Sequence, residues 1–391
     1  MIKICTPKII NFDDNHSRLS CDIYVDNEKR NVWFEVEKEY EQYLCFERSD
    51  AFLIGLLSWA MRSGHDIECS IPVTDELLYN IEEYLIPSLT KYSQALNKIK
   101  IEAQTLPAID NMGMVATGCS CGVDSFHSIL NNINSKYSFC KLTHLCLNNV
   151  GSFPADLIEN DLVESRRSAV RKVADELGLK AVITNSNFAD VFKQSHLLTH
   201  TYSSMFAVFC LQKLWKTYFY ASTYDFSNFK LKYNDIKDAS YTELLLLNCF
   251  SNKKLRIYSE GAAKTRLEKT AFIADSKLAQ KYLHVCLFKT KNCGKCLKCK
   301  RTMNTLYALK KLEKFKEVFD VDYYKKHKDF YLDELYRLHL NNDIMTAPEY
   351  EILKNKIPLS VKRKYEKHKN KIDLRIFINK IKATIFCIFH L

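Results

Sequence analysis

Glycine and proline are scarce in this chain, 9 and 7 among 391 residues, which excludes a collagen-like or Pro/Gly-rich low-complexity protein. Long apolar runs are also missing. None reaches the roughly 18 uncharged residues that a membrane span requires, and the opening segment, MIKICTPKIINFDD, lacks the long apolar stretch of a secretory signal. A cytoplasmic protein is the expectation. No internal repeat is evident. What is present is an ordinary globular composition, 47% hydrophobic and 26% charged, long enough for two or three structural units that each bury a core.

Cysteine is abundant, at fifteen residues, but the count is odd, and thiols in a reducing compartment do not persist as disulfides. Cys5, Cys21, Cys45, Cys69, Cys140, Cys146, Cys210 and Cys249 stand singly among apolar neighbours, where a free thiol acts as a compact core residue. Charge is uneven: net −6 over residues 1–100, +9 over 101–350 and +8 over 351–391. The acidic first quarter argues against a nucleic-acid arm, and the basic middle suits a polyanion, a nucleotide or a metal–thiolate site.

Short alternating segments (ICTPKII, LSCDIYVD, NVWFEVE) followed by helical spacing predict a small α+β domain over residues 1–104, with a linker at Gln104–Met112. From Met112 onward strand and helix alternate: MGMVAT, a helix from about Val123, THLCLNN, an amphipathic helix ended by Gly178, KAVIT, and the later strands TYFYAS and LRIYS. That alternation predicts an α/β, doubly wound parallel sheet over residues 105–311. A helical, basic extension is expected over residues 312–391, and its apolar, Lys-bearing end (LRIFINKIKATIFCIFHL) is a candidate for peripheral membrane contact or for docking on the body of the protein.

Two motifs carry chemistry. After the first strand of the α/β region the chain reads Thr117-Gly118-Cys119-Ser120-Cys121-Gly122-Val123-Asp124-Ser125, a small-residue turn opening a helix. Such a turn admits a phosphate closely and offers it helix N–H groups and the hydroxyls of Ser120 and Ser125. Asp124 is an unusual residue for an anion site and points to a cation that accompanies the phosphates; a plain capped strand–helix turn is the alternative. Near the end of the same region stands Cys286-x6-Cys293-Gly-Lys-Cys296-Leu-Lys-Cys299. Four thiolates at CxxC spacing make a closed tetrahedral zinc site, with an iron–sulfur cluster as the alternative. Between them, Thr265-x-x-Glu268 reads as a capping box that gathers Lys264, Arg266 and Lys269 at one helix start. His196, His200, Asn148, Asn149 and Gly151 are lesser candidates for substrate contact, and turn or helix-cap chemistry accounts for them equally.

The segment Ser120-Cys121-Gly122-Val123-Asp124-Ser125 resembles the SGGxDS loop of the PP-loop ATP pyrophosphatases, the adenine nucleotide alpha-hydrolase-like superfamily. Cys121 stands where the family has Gly, a replacement that negative φ at that residue would accommodate. Together with the CGxCxxC set about 165 residues later and a basic-x-Glu helix start at Arg266, the chain is most similar to 7-cyano-7-deazaguanine synthase (QueC)-like proteins. The resemblance implies a Rossmann-like fold of the HUP/PP-loop type, pyrophosphate bound by residues 120–125, catalytic roles for Asp124 and Arg266, a structural Zn2+ on Cys286, Cys293, Cys296 and Cys299, and ATP with Mg2+. The implied reaction is an AMP-forming ligation: a substrate carboxylate, on a small molecule or a partner protein, is adenylated with release of pyrophosphate, and an amine or ammonia then displaces AMP. A partner protein docking on residues 1–100 fits the acidic extra domain. PP-loop thiolation of tRNA or a base, and a zinc-containing nucleic-acid- or protein-binding module without catalysis, are the alternative expectations, with nucleic acid the less favoured partner.

Overall fold

The computed structural model describes residues 1–153, 161–231 and 238–366; the apolar tail lies outside them. Thirteen strands are found among the described residues: β1 (Ile2–Ile4), β2 (Lys8–Asn11), β3 (His16–Val25), β4 (Glu28–Glu37), β5 (Ile67–Cys69), β6 (Val73–Thr74), β7 (Ile101–Glu102), β8 (Thr105–Leu106), β9 (Met114–Gly118), β10 (His144–Asn149), β11 (Lys180–Ser186), β12 (Trp215–Ala221) and β13 (Arg256–Glu260). Eleven of them form one mixed sheet in the order β13-β12-β9-β10-β11-β4-β3-β1-β5-β7, with β2 paired to β3.

The half from β13 to β11 is all parallel. Numbered from β9 and read from β11 to β13, its order is 3-2-1-4-5, the doubly wound arrangement in which ligands are received outside the carboxyl ends of the strands where the winding reverses. The reversal falls between β9 and β12, and the phosphate-loop segment leaves the carboxyl end of β9. Near-continuous apolar character in these strands (Leu145, Cys146, Val182, Tyr218 and Phe219 are all buried) is what burial on both faces demands.

The predicted separate N-terminal domain requires correction. β4 pairs antiparallel with β11 through Val36–Thr184, Glu35–Asn185 and Phe34–Ser186, so the strands before residue 104 extend the α/β sheet. One hydrophobic core runs from Ile2 to Ile257, and Phe52 of the helix Asp50–Ser63 meets Phe206 of the helix His196–Cys210 edge-on at 5.5 Å. The reason is physical: a parallel sheet ending at β11 would present an open edge, and the long hairpin β3–β4 covers it. The hairpin itself is locally encoded, because Asp26 and Asn27 both take positive φ, 47° and 72°, as a two-residue type I′ turn requires. The expected linker is also structured, since β8 pairs in parallel with β6. A chain shortened to begin near Thr105 is therefore expected to lose soluble folded protein, not merely an accessory domain. Circular dichroism and gel filtration of that truncation check this, and a folded monomer would restore the two-domain view.

The boundary expected at residue 311 lies elsewhere. Among the described residues, Ser120–His127 and the chain from Ala263 to 366 form a second compact unit, separate from those of 1–119 and 128–262. After residue 312 its described part is helical, with Leu332, Leu335, Leu353, Ile357, Val361 and Tyr365 as a small core.

Candidate functional site

Both motifs fall within this second unit, and the loop is built from its backbone outward. Cys121 has φ of 57°, a left-handed conformation that a side chain resists by about 1–2 kcal/mol. The condition of negative φ, under which a side chain is accommodated in place of glycine, is therefore not met. The position needs glycine-like geometry, and the loop holds it against the strain by a hydrogen bond from the His284 backbone N–H to the Cys121 carbonyl, 2.8 Å.

Of the residues expected to touch pyrophosphate, Ser120 is exposed and Gly122 half-buried, whereas Cys121 and Val123 are buried and Ser125 is buried as well. Gly122 N–H donates to Ser120 Oγ at 3.4 Å. The Ser125 hydroxyl donates to the Gly122 carbonyl at 3.0 Å, which closes the first helical turn.

Asp124 lies in the first turn of the helix Val123–Asn132. Its Oδ2 accepts from Arg266 Nη1, and its Oδ1 lies 3.6 Å from Lys269 Nζ. Burial pushes the Asp124 carboxyl up, but the Arg266, Lys269 and Lys298 charges outweigh it and hold the group below the usual carboxylate range. Arg266 is the first residue of the helix Arg266–Ile273, opened by the capping box read from sequence: Glu268 N–H donates to Thr265 Oγ1, and Thr265 N–H to Glu268 Oε2 at 2.7 Å. Two helix N-termini thus meet at one ion pair, and three basic side chains surround one carboxylate. Such a place favours an anion.

Lys264, grouped with Arg266 by the sequence, instead stands 4.6 Å over the Phe272 ring. The residue with the role is Lys269, only 1% exposed, whose spacing of three from Arg266 puts both on one helix face. Nearby, burial together with Lys264 and Lys269 pushes His127 down to about 4, so its ring is neutral at neutral pH. A magnesium ion finds a poor protein site here: the Asp124 carboxylate is already shared by two cations, and Mg2+ demands near-octahedral oxygen ligands. The residues present do not fit a protein-held Mg2+.

The four thiols do meet. The sulfurs of Cys286, Cys293, Cys296 and Cys299 all lie within 4.8 Å of one another, close to the ~3.8 Å separation that tetrahedral Zn–S bonds of about 2.3 Å impose. The set can hold a metal such as zinc. Lys295 N–H and Cys296 N–H point at Cys293 Sγ, at 3.4 and 3.3 Å; burial raises that thiol, but these donors prevail and bring it down to about 7. Gly294 supplies the knuckle's positive φ of 65°. Asn292, which no sequence motif marks, ties the module together. Its Oδ1 accepts from Val285 N–H at 2.8 Å and Cys286 N–H at 3.2 Å, and its Nδ2 donates to the carbonyls of Leu283 at 2.8 Å and Val318 at 3.1 Å.

The lesser candidates belong to the other unit and are engaged in structure. Asn148 Oδ1 accepts from Thr184 Oγ1 at 2.9 Å and Asn149 Nδ2 donates to Asn185 Oδ1 at 2.8 Å, bridging the carboxyl ends of β10 and β11. His200 is held between Asp238, 2.9 Å from Nε2, and the Tyr220 hydroxyl, 2.7 Å from Nδ1.

Comparison with protein-family models, with curated proteins and with solved structures finds no match for this chain. The functional reading therefore stands on the residues. No helix among the described residues is long and apolar enough to cross a membrane.

Proposed function

We propose that the chain is an ATP-dependent, AMP-forming ligase of the QueC-like PP-loop type, acting on the carboxylate of a small molecule or a partner protein. The observation that carries this reading is the meeting of two helix N-termini at Asp124–Arg266 beside the small-residue loop, with Lys269 and Lys298 adding positive charge. In this reading Ser120 and the loop backbone bind the pyrophosphate portion of ATP. Arg266 and Lys269 stabilise the charge that grows on it as the substrate carboxylate displaces it from the α-phosphorus, and Asp124 keeps the Arg266 guanidinium aimed. Magnesium arrives with the nucleotide. An amine or ammonia then attacks the acyl adenylate, and AMP leaves.

Zinc is the metal proposed for the cysteine set, in a structural role, because four thiolates leave no open position for catalysis. The thiolation alternative draws less support, since Cys119 and Cys121, the thiols beside the loop, are each only 1% exposed. The acidic residues 1–100 remain the proposed docking surface for a partner protein.

The test is the identity of the phosphorus products. Incubated with ATP, magnesium and candidate carboxylates and amines, the protein is expected to yield AMP and pyrophosphate; ADP and orthophosphate would overturn the mechanism.

A further inference from the structure

The cysteine module carries more positive charge than its thiolates explain. Between Asp275 and Glu313 the chain has ten basic residues and no acidic one, whereas four thiolates around a divalent zinc leave only two negative charges. Within this stretch the six residues between the first two thiols, Leu287–Asn292, form a tip. Phe288 is 70% exposed and its neighbour Leu287 46%, and Leu297 at the start of the next helix is 42% exposed. Lys289, Lys291 and Lys295 of the same module are exposed. Exposed apolar side chains of this size, adjacent in sequence and accompanied by cations, are a cost in water that a binding surface recovers.

The tip is also held in place. His284 Nε2 lies 3.1 Å from the Lys289 carbonyl, Asn292 bonds the backbone on the near side, and Cys286 and Cys293 bracket the segment. A fixed tip loses little entropy on docking.

We propose that Leu287–Lys291 is a membrane-docking tip that seats Leu287 and Phe288 among the acyl chains of an anionic lipid surface while Lys289, Lys291 and Lys295 meet the headgroups. The proposal is independent of the ligase reading. Charge alone would suit nucleic acid equally; the apolar pair decides. Single strands are bound by several aromatic rings on which successive bases stack, and the tip offers one ring beside a leucine, which gains from hydrocarbon and has no face for a base. An inserted aromatic and leucine flanked by lysines is the composition of an interfacial contact, and the attraction to anionic lipid accumulates per lysine.

The experiment is co-sedimentation of the full chain with phosphatidylcholine vesicles, with and without phosphatidylglycerol, at low and high salt. Binding is expected only to the anionic vesicles and is expected to weaken with salt. Leu287→Ala with Phe288→Ala should lower the affinity at least tenfold. Replacing Lys289, Lys291 and Lys295 together by Ala should lower it roughly a hundredfold, about fivefold per lysine. Metal content and melting temperature of each variant, unchanged from wild type, show that the module is still folded. Equal binding by wild type and tip variants would place any membrane contact elsewhere, in the tail included, and overturn the proposal. So would wild-type protein that ignores anionic vesicles, or a tip that instead captures a single-stranded oligonucleotide in a manner abolished by these substitutions.

Discussion

Stripping a metal from the four thiols is expected to abolish the proposed nucleotide binding as well. A structural zinc on four cysteines contributes about 10–16 kcal/mol of apparent folding free energy in small domains, comparable to or above a typical domain's whole stability. The module here is built around those thiols and around Asn292. Two residues before Cys286, the His284 N–H holds the Cys121 carbonyl, and Cys121 is the residue in strained left-handed backbone. Loosening the first thiol frees that donor. The loop then relaxes from the conformation that the proposed phosphate contact uses, and the ion pair of Asp124 with Arg266 loses its fixed frame. Cys296→Ser should bind less than about a tenth of a metal equivalent, lower ATP affinity more than tenfold and melt the helical unit well below wild type. Metal analysis, isothermal titration with ATP and a thermal scan make the measurement. A chelated or Cys296→Ser protein that binds ATP as wild type does would separate the two motifs and remove the His284 contact from the account. Iron with visible absorbance would leave the coupling intact and replace zinc by a cluster.

What is legible in the sequence divides by how local the encoding is. The capping box needs only Thr265 and Glu268, three residues apart, and it is found. The four-cysteine set depends on spacing within fourteen residues, and its sulfurs converge. The parallel strands from Met114 to Glu260 follow from apolar runs bounded by turn residues. The failures are non-local. Nothing in NVWFEVE says that its edge will pair with KAVITNS some 150 residues later, so the first hundred residues read as a domain of their own. Which of Lys264 and Lys269 turns toward Asp124 depends on tertiary packing, where Lys264 lies over Phe272 and Phe272 lies against His127; the sequence shows only that both lysines are near Arg266.

The ion pair itself yields the second large effect. Arg266→Ala is expected to reduce pyrophosphate-forming turnover on the order of a hundred- to a thousandfold, the usual loss when one preorganised donor is removed from developing oxyanion charge. Lys269→Met tests a different property. Lys269 is buried, and its loss weakens the compensation of the Asp124 carboxylate, so stability should fall by about 3 kcal/mol, the lower end of the cost of breaking a buried pair. Asp124→Asn should keep the fold at neutral pH, because the amide oxygen still accepts one bond from Arg266, and should cut turnover because the neutral amide no longer holds the guanidinium by charge. The pH dependence distinguishes the carboxylate's charge from its shape. Asp124 titrates lower in the folded protein than the ordinary aspartate value of ~3.9. Its contribution to stability is therefore fully present above that value and is lost as pH falls through the depressed folded pKa. Wild type should lose stability in this acid window more steeply than Asp124→Asn, whose amide does not titrate. Denaturant midpoints measured from about pH 6 downward decide it. Parallel curves for wild type and Asp124→Asn would mean that the carboxylate is not held by Arg266 and Lys269, and wild-type turnover in Arg266→Ala would remove that residue from the proposed reaction.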